Sequence, residues 1–140
     1  MKIDTTYYER CISTLEKAYA LLLKSDPADI DYDMYRSASV KEFEIILEQS
    51  GKLLKKALKH YFHSSAAVDQ LYFKDVFRHT VLRNMMKDET CERWLEYRDN
   101  RNNTAHDYGV NFAEETLRLL PQFIVGASAL AEAIKRSNDF

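Results

Sequence analysis

An all-α fold is what this sequence predicts, and two observations carry the prediction. Only three glycines and two prolines occur in 140 residues, so the chain lacks the turn residues that the short connections of a β-sandwich or barrel consume. Apolar residues instead recur three and four apart over long stretches, the spacing that lines one face of a helix. Hydrophobic residues make up 46% of the chain and charged residues 30%, a globular balance far from that of a disordered chain. The length is that of one domain with a common core. The expected architecture is a single helical-bundle domain over residues 1–140, an up-and-down four-helix bundle with one extra short helix.

The first helix is expected from Asp4 to Ser25, with Tyr8, Cys11, Ile12, Leu15, Ala18, Tyr19 and Leu22 facing inward and Asp4 as its cap. Asp26 to Asp33 joins a proline to four acids and reads as a loop. Those acids lack the glycine and the closing glutamate of an EF-hand loop, so no calcium site is expected. A second helix from Tyr35 to Phe62 places Val40, Phe43, Leu47, Ser50, Leu54, Ala57 and Tyr61 on one seam. Its acids, Glu42, Glu44 and Glu48, precede a basic half of Lys52, Lys55, Lys56, Lys59, His60 and His63. Cations near a helix C-terminus complement the backbone dipole, which is the plain explanation of this gradient. A phosphate-facing stripe is the functional one.

Ser64 to Ala67 is expected to be a connector, and Phe73, Phe77, Val81 and Leu82 mark a shorter third helix. A fourth helix is expected from about Asp88 to Ala105, capped by Asp88 or Thr90, and turns Cys91, Trp94, Leu95 and Arg98 inward before Gly109 punctuates the chain. The last helix opens with Asn111 and Glu114 at capping-box spacing. Ala113, Leu117, Leu120, Ile124, Ala127, Ala131 and Ile134 form its seam, and Pro121 within it predicts a bend.

Composition and spacing also exclude function classes. Cys11 and Cys91 have no C-x-x-C spacing and read as reduced structural thiols. His60, His63 and His79 lack companions at zinc-ligand spacing, and no glycine-rich phosphate cradle occurs, so neither metal nor cofactor is expected. No apolar run approaches the roughly 20 residues of a membrane span and no signal block opens the chain, so a cytoplasmic location is expected. A net charge of −2 argues against a general nucleic-acid coat, so any contact with RNA has to be local. Nine tyrosines and seven phenylalanines mostly fall on helical seams and belong to the core. Tyr97 and Tyr108 are the exceptions, flanking the densest polar segment.

That segment runs from Trp94 to Gly109. At about 100° per residue, Asn102 and His106 share a helix face, where the amide can orient the imidazole, whereas Arg101 projects about 140° from His106. One such helix does not converge on a phosphate, and a second copy across a symmetric dimer completes the pocket. An Arg and a His five apart are otherwise compatible with an ordinary structural histidine.

Arg101, Asn102 and His106 match the R-x(4–6)-H mark of the HEPN superfamily, with its polar residue after the arginine. The chain more closely resembles the nucleotidyltransferase substrate-binding proteins, including HepT-type toxins with R-x4-H-x-Y, satisfied by Arg101, His106 and Tyr108. Trp94-Leu95 before the motif and Phe43-Glu44, Glu48, Lys52, Leu54 and Lys55 extend the likeness over about residues 40 to 130. It departs from the family at Gly51, where relatives often carry tryptophan, and at Arg83-Asn84, where many have a glycine turn.

The resemblance implies a homodimer joined through the motif face and partnered by a cognate minimal nucleotidyltransferase. It further implies a metal-independent endoribonuclease toxin silenced by AMP addition to Tyr108. His106 would carry protons and Arg101 would balance phosphate charge. Asn102, Tyr108, Tyr97 and Arg98 would support the site or contact RNA, and Lys52, Lys55 and Lys59 would guide the backbone if the second helix lies alongside. The alternative is a non-catalytic substrate-binding or scaffold subunit of the same nucleotidyltransferase complex.

Overall fold

The apolar seams close into six α-helices among the described residues: α1 Thr6–Leu23, α2 Ile30–Leu58, α3 Ser65–Asp69, α4 Phe73–Leu82, α5 Asp88–Asn103 and α6 Val110–Ser137. A 3-10 turn, Lys59–Tyr61, follows α2. The structure is a computed structural model that describes residues 2–103 and 110–138, with side chains described for 2–102 and 113–138.

Cross-helix contacts fix the directions. Asn138 accepts from the Ile3 amide at 2.8 Å and donates to the Ile3 carbonyl at 3.0 Å, so the end of α6 lies beside the start of α1. Lys135 pairs with Glu9 at the same end. Glu114 near the start of α6 meets Tyr32 and Arg36 near the start of α2, so those two helices run parallel. Asn100 near the end of α5 donates to Thr116 at 3.2 Å, which sets α5 antiparallel to α6. The long helices therefore go up, down, up and down, as the sequence predicts.

The core is knitted by aromatic rings. Phe43 of α2 lies 4.7 Å from Phe123 of α6, which meets Trp94 at 5.5 Å and Tyr97 at 5.1 Å, both from α5. Trp94 in turn stacks on Phe77 of α4 at 5.3 Å, and Phe77 meets Phe73 at 4.5 Å. Such pairs add about 0.5–1.5 kcal/mol each beyond the area they bury. Gly51 lets α4 approach α2: a Cβ there would sit 3.3 Å from the Phe73 ring, so a larger side chain at this position requires that ring to shift.

Several local expectations are corrected. Helix α2 begins at Ile30, so the second half of the predicted acidic loop is helical; Asp31 and Asp33 occupy its first turn, where the dipole favours acids. Tyr61 leaves the seam because the 3-10 turn ends α2, and it is 47% exposed. Ser64 caps a short helix at the predicted connector by accepting from the Ala67 amide at 3.1 Å. Leu82 is exposed. Asn111 lies inside α6 rather than capping it, and Glu114 reaches across to α2. Phe123, absent from the predicted seam, is a fully buried hub, while Ile124 is only half-buried. Helix α6, in contrast, runs unbroken through the exposed Pro121, as the periodicity on both sides predicts.

An 18-residue window of α6 also reaches a mean hydropathy of 1.3, enough by length and composition for a membrane span, contrary to the sequence expectation. Part of that apolarity is bundle core, the inward seam of Leu120, Phe123, Ala127, Leu130 and Ile134. Both cysteines are free and buried, and burial pushes their thiols up, consistent with structural thiols.

Two substitutions test this packing. Trp94→Ala should cost about 3–5 kcal/mol in urea denaturation, the usual effect of deleting a large buried ring. Tyr8 is buried to 1% exposure and its hydroxyl has no hydrogen-bond partner among the described residues. Tyr8→Phe should therefore stabilise by about 1 kcal/mol, and a loss instead would reveal a partner for the phenol.

Candidate functional site at the end of α5

The inward face of α5 changes chemistry along its length. Cys91, Trp94 and Tyr97 are buried, and the next residues at helical spacing, Arg98 and Arg101, carry cations out of the core. Arg101 leans toward α2, its Nε 3.7 Å from Oε2 of Glu44, with both side chains about one-third exposed. The two helices enclose a groove of about 430 Å³ lined by Lys41, Glu44, Glu48, Arg98 and Arg101 over Ile45 and Leu47. Three cations facing two carboxylates make it locally positive.

Asn102 opens on the other side of α5. It lines a groove of about 400 Å³ in which Lys74, Arg78 and Arg98 face Glu92 and Asp99, with Tyr72 at its side. Arg98 lines both grooves and holds its guanidinium 5.0 Å over the Phe73 ring. Two neighbouring motif residues thus face different helices, Arg101 toward α2 and Asn102 toward α4. The turn behind them is tied down where Asn100 donates to Thr116, which is fully buried.

Of the remaining predicted site residues, His106 and Tyr108 lie outside the described residues, as does Gly109. Tyr97 is a correction: at 2% exposure it packs edge-on against Trp94 and Phe123, and burial raises its phenol. Its ring is therefore core and not a stacking platform for RNA. Lys52 pairs with Glu48 at 3.2 Å, and Lys55 donates to the Asp69 carbonyl at 3.2 Å, pinning α3 to α2. At 1.5 Å per residue Lys55 sits about 16 Å along α2 from Glu44, and Lys59 lies farther still. These lysines run on along α2 and do not line the groove around Arg101. Among the described residues no three His, Cys, Asp or Glu side chains gather to hold a metal.

Sequence spacing did not point to Tyr72, Lys74 and Arg78. They come from the start of α4, distant in the chain from the motif, and only the tertiary packing of Phe73 and Phe77 on α5 brings them there. The one available signal was Tyr72, an aromatic residue just ahead of its helix that is 79% exposed.

An up-and-down bundle whose motif-bearing helix delivers an arginine to its end is a helical domain of the HEPN type. More particularly, residues 4–136 match the family model described as nucleotidyltransferase substrate binding protein like, and the chain belongs to that family. A probable ribonuclease HepT from Haemophilus influenzae is 26% identical over 108 residues, covering 77% of this chain and 73% of the relative. Among solved structures, a Haemophilus influenzae protein described as revealing the fold of a substrate binding domain of a nucleotidyltransferase superposes with a TM-score of 0.80 at 22% identity, covering 94% of this chain and 99% of that one. A protein from Thermus thermophilus superposes with a TM-score of 0.72 at 23% identity, covering 92% of this chain and 99% of that one.

The geometry makes Arg101–Glu44 a partly exposed pair of long side chains, worth no more than about 1 kcal/mol. Glu44→Gln should change the denaturation midpoint correspondingly little, while making the groove around Arg101 more positive. A loss of several kcal/mol would instead make the pair a structural strut.

Proposed function

We propose that this protein is the helical partner of a cognate minimal nucleotidyltransferase and a HepT-like, metal-independent endoribonuclease acting as a cytoplasmic toxin, silenced when the partner adds AMP to Tyr108. The observation that carries this reading is the placement of Arg101 on a packed helix end, in a cationic groove, immediately ahead of the Asn102, His106 and Tyr108 string. The likeness to a probable ribonuclease HepT supports the same assignment.

In the proposed reaction the RNA 2′-hydroxyl attacks the adjacent phosphorus, the phosphorus–5′-oxygen bond breaks, and a cyclic phosphate and a free 5′-hydroxyl result. His106 moves the proton, imidazole being the side chain suited to proton transfer at neutral pH, and Arg101 faces the negative charge that accumulates on the phosphoryl oxygens. A homodimer that brings two motifs together would supply both groups to one phosphate. Arg98, Lys74 and Arg78 offer contacts to the backbone on the α4 side, and the exposed ring of Tyr72 offers a surface for a base.

Adenylylation of Tyr108 would place a phosphodiester charge and a bulky base beside Arg101, occupying the place of the scissile phosphate. The Glu44 carboxylate beside Arg101 favours a second reading, in which the partly balanced arginine serves recognition alone and the bundle is a non-catalytic subunit.

Expression with and without the nucleotidyltransferase separates these readings. The ribonuclease reading expects growth arrest and RNA cleavage by the chain alone, abolished by His106→Ala and reduced by a factor of about 10² or more by Arg101→Ala with the helical content unchanged. Incubation with the partner, ATP and magnesium should add adenylyl groups that map to Tyr108 and vanish in Tyr108→Phe. A wild-type chain that neither arrests growth nor cuts RNA as a dimer supports the accessory subunit.

A further inference from the structure

The two ends of the bundle carry opposite charge, and both leave apolar groups in water. Leu23, Ile30 and Met34, each at least 60% exposed, gather where α1 turns into α2. Ile30 and Met34 stand one turn apart on the same face of α2, and residues 24–29 bring Leu23 beside them. Asp26, Asp29, Asp31 and Asp33 surround this tip. Arg36 pairs with Asp33, whereas Asp26, Asp29 and Asp31 form no ion pair among the described residues. Lys24 is the one cation within the connection. The tip is therefore apolar at its centre and acidic around it.

Helix α2 spans 29 residues, so its far end lies about 43 Å from the tip. There the ends of α2 and α6 and the α4–α5 turn enclose a recess of about 600 Å³. Ala57, Tyr61, Met85 and Ala133 supply its apolar lining, and Arg83 and Arg136 its charge. No aspartate or glutamate lines it, and neither arginine forms an ion pair among the described residues. Leu82, exposed just before Arg83, adds a further apolar side chain at this end.

Helix dipoles account for the sign of the charge at each end, since acids favour the start of α2 and cations the ends of α2, α4 and α6. They do not account for the large apolar groups that stay in water among those charges. Exposed apolar groups that cluster inside a polar rim mark contact surfaces. The two surfaces also complement each other. The tip is a convex corner with an acidic rim, and the recess is concave, apolar within and cationic, so the recess of one copy supplies what the tip of another lacks.

We propose that copies of this chain associate head to tail, with Leu23, Ile30 and Met34 of one copy seated in the recess of the next and Asp29 and Asp31 facing Arg83 and Arg136. The patches lie at opposite ends of α2, so the contact is heterologous, and copies add in a row or close into a ring. It differs from a symmetric dimer through the motif, because Ile30 lies about 21 Å along α2 from Glu44, the residue beside Arg101. The inference neither requires nor implies ribonuclease activity.

Sedimentation equilibrium of the full chain tests this. At low salt the weight-average mass should climb past that of a dimer as the protein is concentrated, and it should fall in about 1 M salt, where the screening length is about 3 Å. A tip variant, Asp29→Lys with Asp31→Lys, and a recess variant, Arg83→Glu with Arg136→Glu, should each stay at or below the mass of a dimer, because like charges then meet. All four residues are exposed, so the fold should persist, and unchanged circular dichroism would verify it. Mixed in equal amounts, the two variants should regain the larger species: the lysine tip fits the glutamate recess, and the unaltered tip fits the unaltered recess. Reversing charge elsewhere on the surface with Arg118→Glu should change nothing. A wild-type mass that never exceeds a dimer, charge-reversed variants that assemble as wild type does, or a mixture no heavier than its components would each overturn the proposal.

Discussion

The rest of the structure depends on the contact of Phe123 with Phe43, Trp94 and Tyr97. Helix α5 is rich in charge, and few of its residues are apolar enough to hold it in place. What anchors it are two large rings, Trp94 and Tyr97, sunk between α4 and α6. With those rings buried, helical geometry leaves no choice about Arg98 and Arg101: they emerge one turn later, beside α2 and α4. The position of the candidate site is thus a consequence of aromatic packing about one to two turns earlier.

Much of the bundle was legible in the sequence because its signal is periodic. The seams of α1 and α2 name residues that are buried, from Tyr8 to Leu22 and from Phe43 to Ala57, apart from Tyr19 and Val40, which are half-buried. Failures concentrate where local electrostatics or tertiary contact outweighs periodicity. Acids at Asp31 and Asp33 signalled a loop by composition but stabilise a helix start by charge. Phe123 was passed over because α6 buries a broader stripe than one seam, with both Phe123 and Ala127 at full depth. Tyr97 was assigned to the surface because it neighbours a polar string, whereas helical phase, three residues after Trp94, places it inward.

The candidate site was legible differently. Its residues were recognisable as a string, and a string fixes spacing along one helix but not what lies across from it. Glu44 as the neighbour of Arg101, and Tyr72, Lys74 and Arg78 as neighbours of Asn102, follow from the packing of α5 against α2 and α4. Lys55 shows the converse: a cation with the right chemistry for phosphate hydrogen-bonds the end of α3.

If aromatic anchoring positions the motif helix, α5 should be among the most stable parts of the molecule despite its polar sequence. Native-state hydrogen exchange followed by NMR measures this residue by residue. The amides from Trp94 to Arg101 should exchange only through global unfolding, at the same free energy as the Leu47–Leu54 segment of α2. Exchange of α5 through a local opening several kcal/mol below that of α2 would show a loosely held helix and contradict the account.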